Sequence, residues 1–466
     1  MQPVKWVIVV LISFVGILHA KSNDKWYSMI GSAYLDNQSY RVLEKICDEA
    51  GGRPAGSQQN ENAIHILKSE LENIGFRVKL EKFQMPGWVR GNDVVQIVEP
   101  VELKLQAAAL GYVDRTPVFE APVVYAGYSS EESFLNLEVK NQIVLVTSEK
   151  PPAGKELMRS EIIGLAGKSG AKAVLFINGR PGGLNLAGTG NFQGTPTAVP
   201  AYSLTFEEGK RLQRLLEKKI PVTLRIDTRS FCKEIETSNV VITLPGKVKD
   251  KIVVGAHLDS WDLSQGGIDN GLGTAILFDV ARILKRYSSD NYYTIEFVWF
   301  NGEELGLWGA KNYAAVHRDD PVVAMINMDM TGTPTGFNAM GFDFLLPFLE
   351  TLKNNLNGFE LKSGVISVPW TNSDHMPFLL QGIPVIGLQA HLDESMVKFY
   401  HSHADAFDKV SKKYLSDAAA VAGILIEELA NNPEIPLNRL TETEMADMLI
   451  KFKLDDRLER QGEWIY

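Results

Sequence analysis

The stretch KIVVGAHLDSWDLSQGGIDNGLGTAILFDVARILKRY, residues 251–287, contains three segments of different character. It opens with an apolar, β-branched run that ends at His257, as a buried strand does. A glycine-rich loop follows, and a helix is predicted from Leu272 to Tyr287. A strand, a loop and a helix in this order form the unit from which sheets covered by helices are built. The stretch therefore predicts an α/β fold.

The chain on either side of this stretch repeats the alternation of strand and helix. Apolar strand runs recur as VVITL, YTIEFVWFN, AMINMDM and PVIGL, with helical segments between them. Runs that are apolar throughout are typical of strands buried on both faces of a largely parallel sheet. The sequence thus predicts a mixed, mostly parallel central sheet flanked by helices.

The N-terminal half has a different pattern of predicted secondary structure. Residues 40–75 are predicted to be helical, with Gly75 as the C-terminal cap. From about Val95 to Arg229 the sequence changes to short β-branched runs, with two helices at SEIIGLAGKSGA and TFEEGKRLQRLLEKK. These residues contain no cluster of titratable side chains. A lid or a spacer is therefore favoured over a second active site.

Composition and the N-terminus restrict the function classes. The chain has 466 residues and a net charge of -10, which argues against nucleic acid as a partner. Lys5 precedes an apolar run from Trp6 to Leu18, and Ala20 supplies the small residue of a signal-peptide cleavage site. The run is too short to span a bilayer comfortably, although an uncleaved anchor is the alternative. We expect a secreted or periplasmic protein without stable membrane insertion.

The chain has only two cysteines, Cys47 and Cys232. In an exported protein they can pair or stay free, and the sequence does not decide between these outcomes. Two thiols are too few for a thiolate metal cage.

Candidate imidazole and carboxylate metal ligands occur where α/β sheets keep their chemistry, just past the carboxyl ends of strands. A lone histidine at a strand end is more often a satisfied polar residue, and a Glu-Glu pair in a loop is usually solvated. These ordinary explanations would have to hold at five separate segments at once. The segments supply the following side chains: His257, Asp269, Glu303, Glu304, Asp329 and His401. Their conjunction predicts a metal site.

The order of the motifs HLD, DNGLGT, NGEELGLWGA, NMDMTG and YHSHAD resembles the co-catalytic two-zinc aminopeptidase and carboxypeptidase family. The segments GGRPAGS and MPGWVRG, and a β-rich region similar to a protease-associated (PA) domain, resemble an exported branch of that family. The resemblance covers nearly all of the mature chain. It implies a zinc-exopeptidase fold with an inserted PA domain.

The resemblance also implies a role for each ligand. His257 and Asp329 would bind one Zn²⁺, Glu304 and His401 would bind a second, and Asp269 would bridge both. The bond between Asp269 and Asn270 is expected to be a cis peptide.

Two further acidic residues have implied roles beside the metals. Asp259 would accept the second ring N–H of His257 and hold its tautomer. Glu303 would act as the general base. The family segment that contains Asp374 and His375 lies beside the substrate, and His403 is expected near the metals or in the pocket.

The implied organisation has five parts. These are a signal peptide (1–20), a first peptidase segment (21–94), the PA domain (95–232), a second peptidase segment (233–437) and a C-terminal helical tail (438–466). No chemistry is predicted for the tail.

The favoured function is an exopeptidase that acts on peptides or dipeptides with a free N-terminus. The alternatives are a carboxypeptidase or dipeptidase that recognises the free C-terminus, and a receptor-like protein of the same domains without catalysis. A single-zinc cyclising acyltransferase is disfavoured, because His257 is present to complete the second site. A homodimer is left open.

Overall fold

The computed structural model describes residues 24–128, 130–135, 137–152, 154–288 and 290–466. The predicted signal peptide, residues 1–20, lies outside these ranges. The described residues form two eight-stranded sheets, each with its own hydrophobic core. None of the helices in these ranges has both the length and the apolar character needed to cross a membrane.

The secondary structure follows the alternation predicted from the sequence. The strands are β1 (Lys79–Val89), β2 (Val94–Glu99), β3 (Leu103–Lys104), β4 (Ala107–Ala109), β5 (Thr116–Gly127), β6 (Ile143–Thr147), β7 (Ala173–Ile177), β8 (Ala201–Leu204), β9 (Thr223–Thr228), β10 (Phe231–Leu244), β11 (Lys251–His257), β12 (Thr294–Phe300), β13 (Val322–Asn327), β14 (Thr333–Asn338), β15 (Gly364–Ile366) and β16 (Val385–His391). The helices are α1 (Ser39–Glu49), α2 (Gln58–Asn73), α3 (Glu132–Leu135), α4 (Arg159–Lys168), α5 (Phe206–Glu217), α6 (Leu272–Tyr287), α7 (Trp308–Val316), α8 (Leu346–Asn355), α9 (Met376–Leu379), α10 (Glu394–Val397), α11 (Lys412–Asn431), α12 (Glu442–Lys451) and α13 (Asp455–Gln461). Residues 24–35 are also helical.

The first sheet has the strand order β1-β10-β12-β11-β13-β16-β14-β15. Its centre, from β12 to β16, is parallel, and its flanks contain antiparallel pairs. The central strand β11 is buried along its whole length, and α6 and α11 pack on the sheet and on each other. Complete burial is what the unbroken apolar runs predict. The α/β class with a mixed, mostly parallel sheet is confirmed.

Helix α6 begins unusually close to the end of strand β13. A Cβ on Gly273 would lie 2.0 Å from the main-chain oxygen of Met328. Only a residue without a side chain permits this approach. The glycine therefore lets the loop before α6 and the loop after β13 meet at one place.

The second sheet, in the order β3-β2-β9-β5-β6-β7-β8-β4, is built from strands between residues 94 and 228. Strands β5 to β8 are parallel, and α4 and α5 pack against β7. This is the inserted β-rich region that the sequence predicts. The next strand, β10, already belongs to the first sheet, where it pairs with β1 along 11 register positions. The domain limits stay predictions.

One local expectation needs correction, and one open question has an answer. Residues 40–75 do not form one helical segment, because GGRPAGS separates α1 from α2. Gly51 and Gly56 adopt positive φ there, which ends one helix before the next begins. The open question about the cysteines is resolved, since Cys47 and Cys232 are both free thiols.

Candidate active site

The predicted ligands lie at the carboxyl edge of the first sheet. His257 is the last residue of β11, and Asp329 comes two residues after β13. Glu303 and Glu304 follow the end of β12 after a short turn, and His401 lies in the loop beyond β16. The parallel direction of the central strands brings these side chains to one rim.

Asp269 reaches the same rim from the turn Gly267–Gly271, directly before α6. The Asp269–Asn270 peptide bond is cis, as the resemblance implies. The carboxylate of Asp405 accepts the main-chain N–H groups of Ile268 at 2.6 Å and of Asp269 at 3.1 Å. The turn is therefore held by a side chain from the His401 loop.

The first cluster contains His257, Asp269 and Asp329. The Nε2 atom of His257 lies 3.2 Å from Oδ1 of Asp269 and 3.7 Å from Oδ1 of Asp329. The potential ligand atoms all lie within 4.8 Å of one another.

The second cluster contains Asp269, Glu304 and His401. Nε2 of His401 lies 2.9 Å from Oδ2 of Asp269 and 3.1 Å from Oε2 of Glu304. Asp269 thus turns one carboxylate oxygen toward each imidazole. The structure brings all five predicted ligands together, with Asp269 between two groups of three.

The electrostatics of the two clusters fit a bound cation. Burial raises the pKa of Glu304 to about 7, with Asp269 adding to the shift, and its Oε1 has no hydrogen-bond partner. Burial alone would lower the pKa of His401, but the neighbouring carboxylates raise it to about 10. Buried carboxylates of this kind favour either protons or a metal. A set of imidazole and carboxylate donors suits zinc.

Glu303 lies beside the first cluster and lines the main cavity. Its Oε2 is 3.9 Å from Nε2 of His257. Burial raises the pKa of Glu303 well above its usual value, and the nearby carboxylates add to the shift. Glu303 and Glu304 therefore point to different neighbours, as adjacent residues after a strand can.

Asp259 has a different contact from the one expected. Nδ1 of His257 lies 3.0 Å from the main-chain oxygen of Asp259, whereas the Asp259 carboxylate is 3.7 Å away. That carboxylate instead accepts the main-chain N–H groups of Glu303 at 3.2 Å and Glu304 at 3.3 Å. Asp259 therefore connects the β11 loop to the β12 loop, and its carbonyl orients the imidazole.

Arg53, in the segment GGRPAGS, holds the loop between two candidate ligands, and this role was not predicted from the sequence. It is completely buried. Its guanidinium donates to the carbonyl oxygens of Leu258 at 2.6 Å, Gln265 at 2.5 Å and Gly266 at 3.1 Å. These carbonyls belong to the loop that joins His257 to Asp269. The resemblance of the segment GGRPAGS to the family was the available signal.

Ser373 was also missed, although it stands next to the predicted pocket residues. Its hydroxyl donates to Oδ2 of Asp329 at 2.7 Å and accepts from Nδ2 of Asn327 at 2.8 Å. Both Ser373 and Asn327 are buried. This short relay orients one candidate ligand.

The three predicted pocket residues do not line the main cavity. Asp374 is fully buried, and neither carboxylate oxygen has a hydrogen-bond partner. Nε2 of His375 lies 2.7 Å from the Trp370 main-chain oxygen, and burial lowers the pKa of His375 to about 4. His403 is exposed. Other residues of the same segment as Asp374 line the cavity instead, namely Thr371, Asn372 and Met376.

The cavity has a volume of about 930 Å³, and three parts of the fold line it. The floor contains Glu303 and the candidate ligands Asp269, Glu304, Asp329 and His401. Strands and loops of the second sheet form one side, and the C-terminal helix α13 forms another. This volume suits a ligand of drug or short-peptide size.

Comparison with known proteins agrees with this architecture. Residues 239–424 match peptidase family M28, and residues 119–212 match the PA domain. Carboxypeptidase Q of Mus musculus is 26% identical over 414 residues, covering 86% of this chain and 87% of that protein. Aminopeptidase YwaD of Bacillus subtilis is 25% identical over 413 residues, covering 85% and 86%. The solved structure of a peptidase M28 precursor from Shewanella amazonensis has a TM-score of 0.78 at 23% identity, over 89% of this chain and 98% of that one.

The fold and the gathered carboxylates and imidazoles define a peptidase with a second, β-rich domain over its cleft. Residues 239–424 contain strands β11 to β16 of the first sheet, and residues 119–212 contain β6 to β8 of the second. These two regions resemble peptidase family M28 and the PA domain, respectively.

Proposed function

We propose that the protein is an exported, zinc-dependent exopeptidase that hydrolyses the bond after a free N-terminal residue of peptides or dipeptides. The proposal rests on one observation. Two groups of possible metal ligands share Asp269, and Glu303 lines the cavity beside them. Three protein donors per ion are typical of catalytic rather than structural zinc.

The ligand set follows from the two groups. His257 and Asp329 would hold one zinc ion, Glu304 and His401 the other, and Asp269 both. Bound zinc would polarise the scissile carbonyl and make a nearby water more acidic.

The chain's own residues supply the remaining chemistry. Glu303 would take a proton from the attacking water and deliver it to the departing amine. Burial raises the pKa of Glu303, which is the direction that favours holding a proton after it is taken from water. Asp259 holds the main chain of Glu303 and Glu304 and orients His257. Residues of the second sheet and of the tail line the cleft beside these groups.

The variant Glu303→Gln tests the general base. It keeps the shape of the side chain and removes the proton acceptor, so we expect full zinc content and a kcat lower by about 10²–10⁴-fold. Metal analysis and dipeptide turnover measure the two effects. Glu360→Gln, a change at an exposed carboxylate far along the chain, is the control. Full activity of Glu303→Gln would remove this residue from the mechanism.

Peptides blocked at one end and then at the other decide which terminus is recognised. The names of the relatives include both a carboxypeptidase and an aminopeptidase, so similarity to the family does not choose between them. Loss of turnover on N-terminal acetylation supports the proposal. Loss only on C-terminal amidation supports the carboxypeptidase or dipeptidase alternative.

Metal content separates the remaining alternatives. Two zinc ions per chain support the proposal, whereas one ion would favour the cyclising acyltransferase. Peptide binding without any turnover would favour the receptor-like alternative. Export is tested by sequencing the N-terminus of secreted protein, which we expect to begin after Ala20.

A further inference from the structure

The C-terminal tail forms part of the wall of the main cavity. Asp456, Arg457, Arg460 and Gln461 of α13 line this cavity together with the carboxylates of the candidate metal site. The sequence by itself indicated no chemistry for this segment.

The tail is fixed on both sides, so the wall it forms is part of the folded molecule. Nε of Arg460 donates to Oε1 of Glu161 in α4 at 2.8 Å, and Nε2 of Gln193 donates to the main-chain oxygen of Gln461 at 3.0 Å. On the other side, Tyr466 donates to the main-chain oxygen of Leu380 in the peptidase fold. The tail therefore joins the two sheets across the cavity.

Most of the cations that line the cavity already have carboxylate partners. Lys155 pairs with Asp456, and Arg460 pairs with Glu161. Lys311 pairs with Glu463. The charges in these pairs are compensated before any ligand enters.

Arg457 differs from these cations. Among the described residues no carboxylate lies within salt-bridge distance of its guanidinium, and its Nε is inaccessible to solvent without a hydrogen-bond partner. Burial, and then the charge of Arg460, lower the pKa of Arg457. Arg159, on the wall from the second sheet, also lacks a carboxylate partner, but it contacts the main-chain oxygen of Thr189 at 3.5 Å. A buried donor without an acceptor calls for a ligand or an ordered water.

The cavity therefore contains the carboxylates of the candidate metal site and two guanidinium groups without a carboxylate partner, and of these two Arg457 has the buried nitrogen without an acceptor. A short peptide with free termini carries the complementary charges, an ammonium group and a carboxylate. The planar fork of a guanidinium matches a carboxylate, to which it donates paired hydrogen bonds.

We propose that Arg457 binds a carboxylate of the substrate, so that the tail selects short peptides that carry a free carboxylate at the end away from the metals. This inference rests on the proposed peptidase function and names its substrate class. The carboxylate is the peptide's own C-terminus or an acidic side chain at the same place. Arg457 is then a specificity-determining residue.

The test measures binding in the zinc-loaded, full-length Glu303→Gln protein, where bound peptide is not consumed. Calorimetry compares alanyl-alanine, its C-terminal amide and the C-terminal amide of alanyl-glutamate. We expect alanyl-alanine to bind about 10- to 100-fold more tightly than its amide, which is the range of one charge-assisted interaction. Arg457→Met should abolish the difference, and Arg457→Lys should restore part of it.

Lys453→Met is the matched control, because it removes a positive charge from the same tail at an exposed position that does not line the cavity. It should keep the preference for the free carboxylate. Circular dichroism and zinc content establish that each variant is folded. Tight, Arg457-dependent binding of the alanyl-glutamate amide would identify an acidic side chain as the source of the carboxylate.

Equal binding of alanyl-alanine, its amide and the alanyl-glutamate amide would overturn the inference, as would an Arg457→Met protein that behaves like Lys453→Met. Turnover by the unmodified enzyme is measured separately. Binding that depends on Arg457 without any turnover would keep the inference and contradict the proposed activity. Turnover without any preference for a carboxylate would support the proposed activity and contradict the inference about Arg457.

Discussion

Asp269 shows how a single side chain can join two groups of ligands. One of its oxygens faces His257 and the other faces His401, and Asp405 holds its main chain from the opposite side. Burial alone would raise the pKa of Asp269, but hydrogen bonds to the two imidazoles lower it. The carboxylate is therefore kept ionised, as its proposed role as a bridging ligand requires.

The hydrogen bond from Ser373 to Asp329 allows a test that should affect only one of the two proposed metal ions. Ser373→Ala removes the hydroxyl that orients Asp329, so we expect one zinc ion to bind about 10- to 100-fold more weakly. The second ion, held by Glu304 and His401, should bind as before. Competition with a chromophoric chelator measures both affinities.

Ser363→Ala is the control for this test, because that hydroxyl is exposed and lies outside the cavity. Equal weakening of both ions in Ser373→Ala would contradict the assignment of Asp329 to one site.

At the scale of elements, a polar cluster ties the end of α7 to the edge strand β1. His317 follows α7, and its ring contacts Glu81 of β1 at 3.1 Å and Asp320 at 2.7 Å. Hydrogen bonding to Glu81, and further to Asp320, raises the pKa of His317 above its ordinary value of 6.5. The protonated ring therefore stabilises the folded state.

The sign of this effect predicts how stability depends on pH. The stabilisation is complete below the unfolded pKa of about 6.5 and is lost as the pH rises through the higher folded pKa. His317→Gln should therefore lower the urea midpoint at pH 6 and have less effect at pH 9. His65→Gln, at an exposed histidine of α2, is the control. An equal loss at both pH values would assign the effect to packing rather than charge.

At the scale of the whole molecule, the tail and the second sheet together line the cleft. Arg460 carries much of this connection, since it contacts Glu161 with two nitrogens and the main-chain oxygen of Glu156 at 3.0 Å. The pair is largely shielded from solvent, so its hydrogen bonds contribute more than those of an exposed pair.

Arg460→Met should loosen this connection without unfolding the peptidase core. We expect about 10-fold faster amide exchange in α13, in line with a net loss of about 1–2 kcal/mol. Exchange in β11, at the centre of the first sheet, should stay unchanged. Hydrogen exchange with mass spectrometry measures both segments. Unchanged exchange in α13 would show that the tail is held by other contacts.

The five candidate ligands could be predicted from the sequence because each follows an apolar strand or precedes a helix in a recognisable motif. Residues that act through main-chain contacts could not. Arg53 donates to carbonyl oxygens, which every residue has, so no pattern in the sequence marks its partners. Asp374 and His375 were misplaced because their motif lies beside the cavity while their own side chains turn into the core.

The sequence alone determined the α/β class, the inserted β-rich region and the candidate ligands, because apolar periodicity and strand-end motifs are local signals. Tertiary structure alone decided that Asp259 joins two loops through its carboxylate, and that the tail supplies Arg457 to the cavity. Those contacts join residues far apart in the chain. Their geometry depends on how separate elements pack, which no local pattern records.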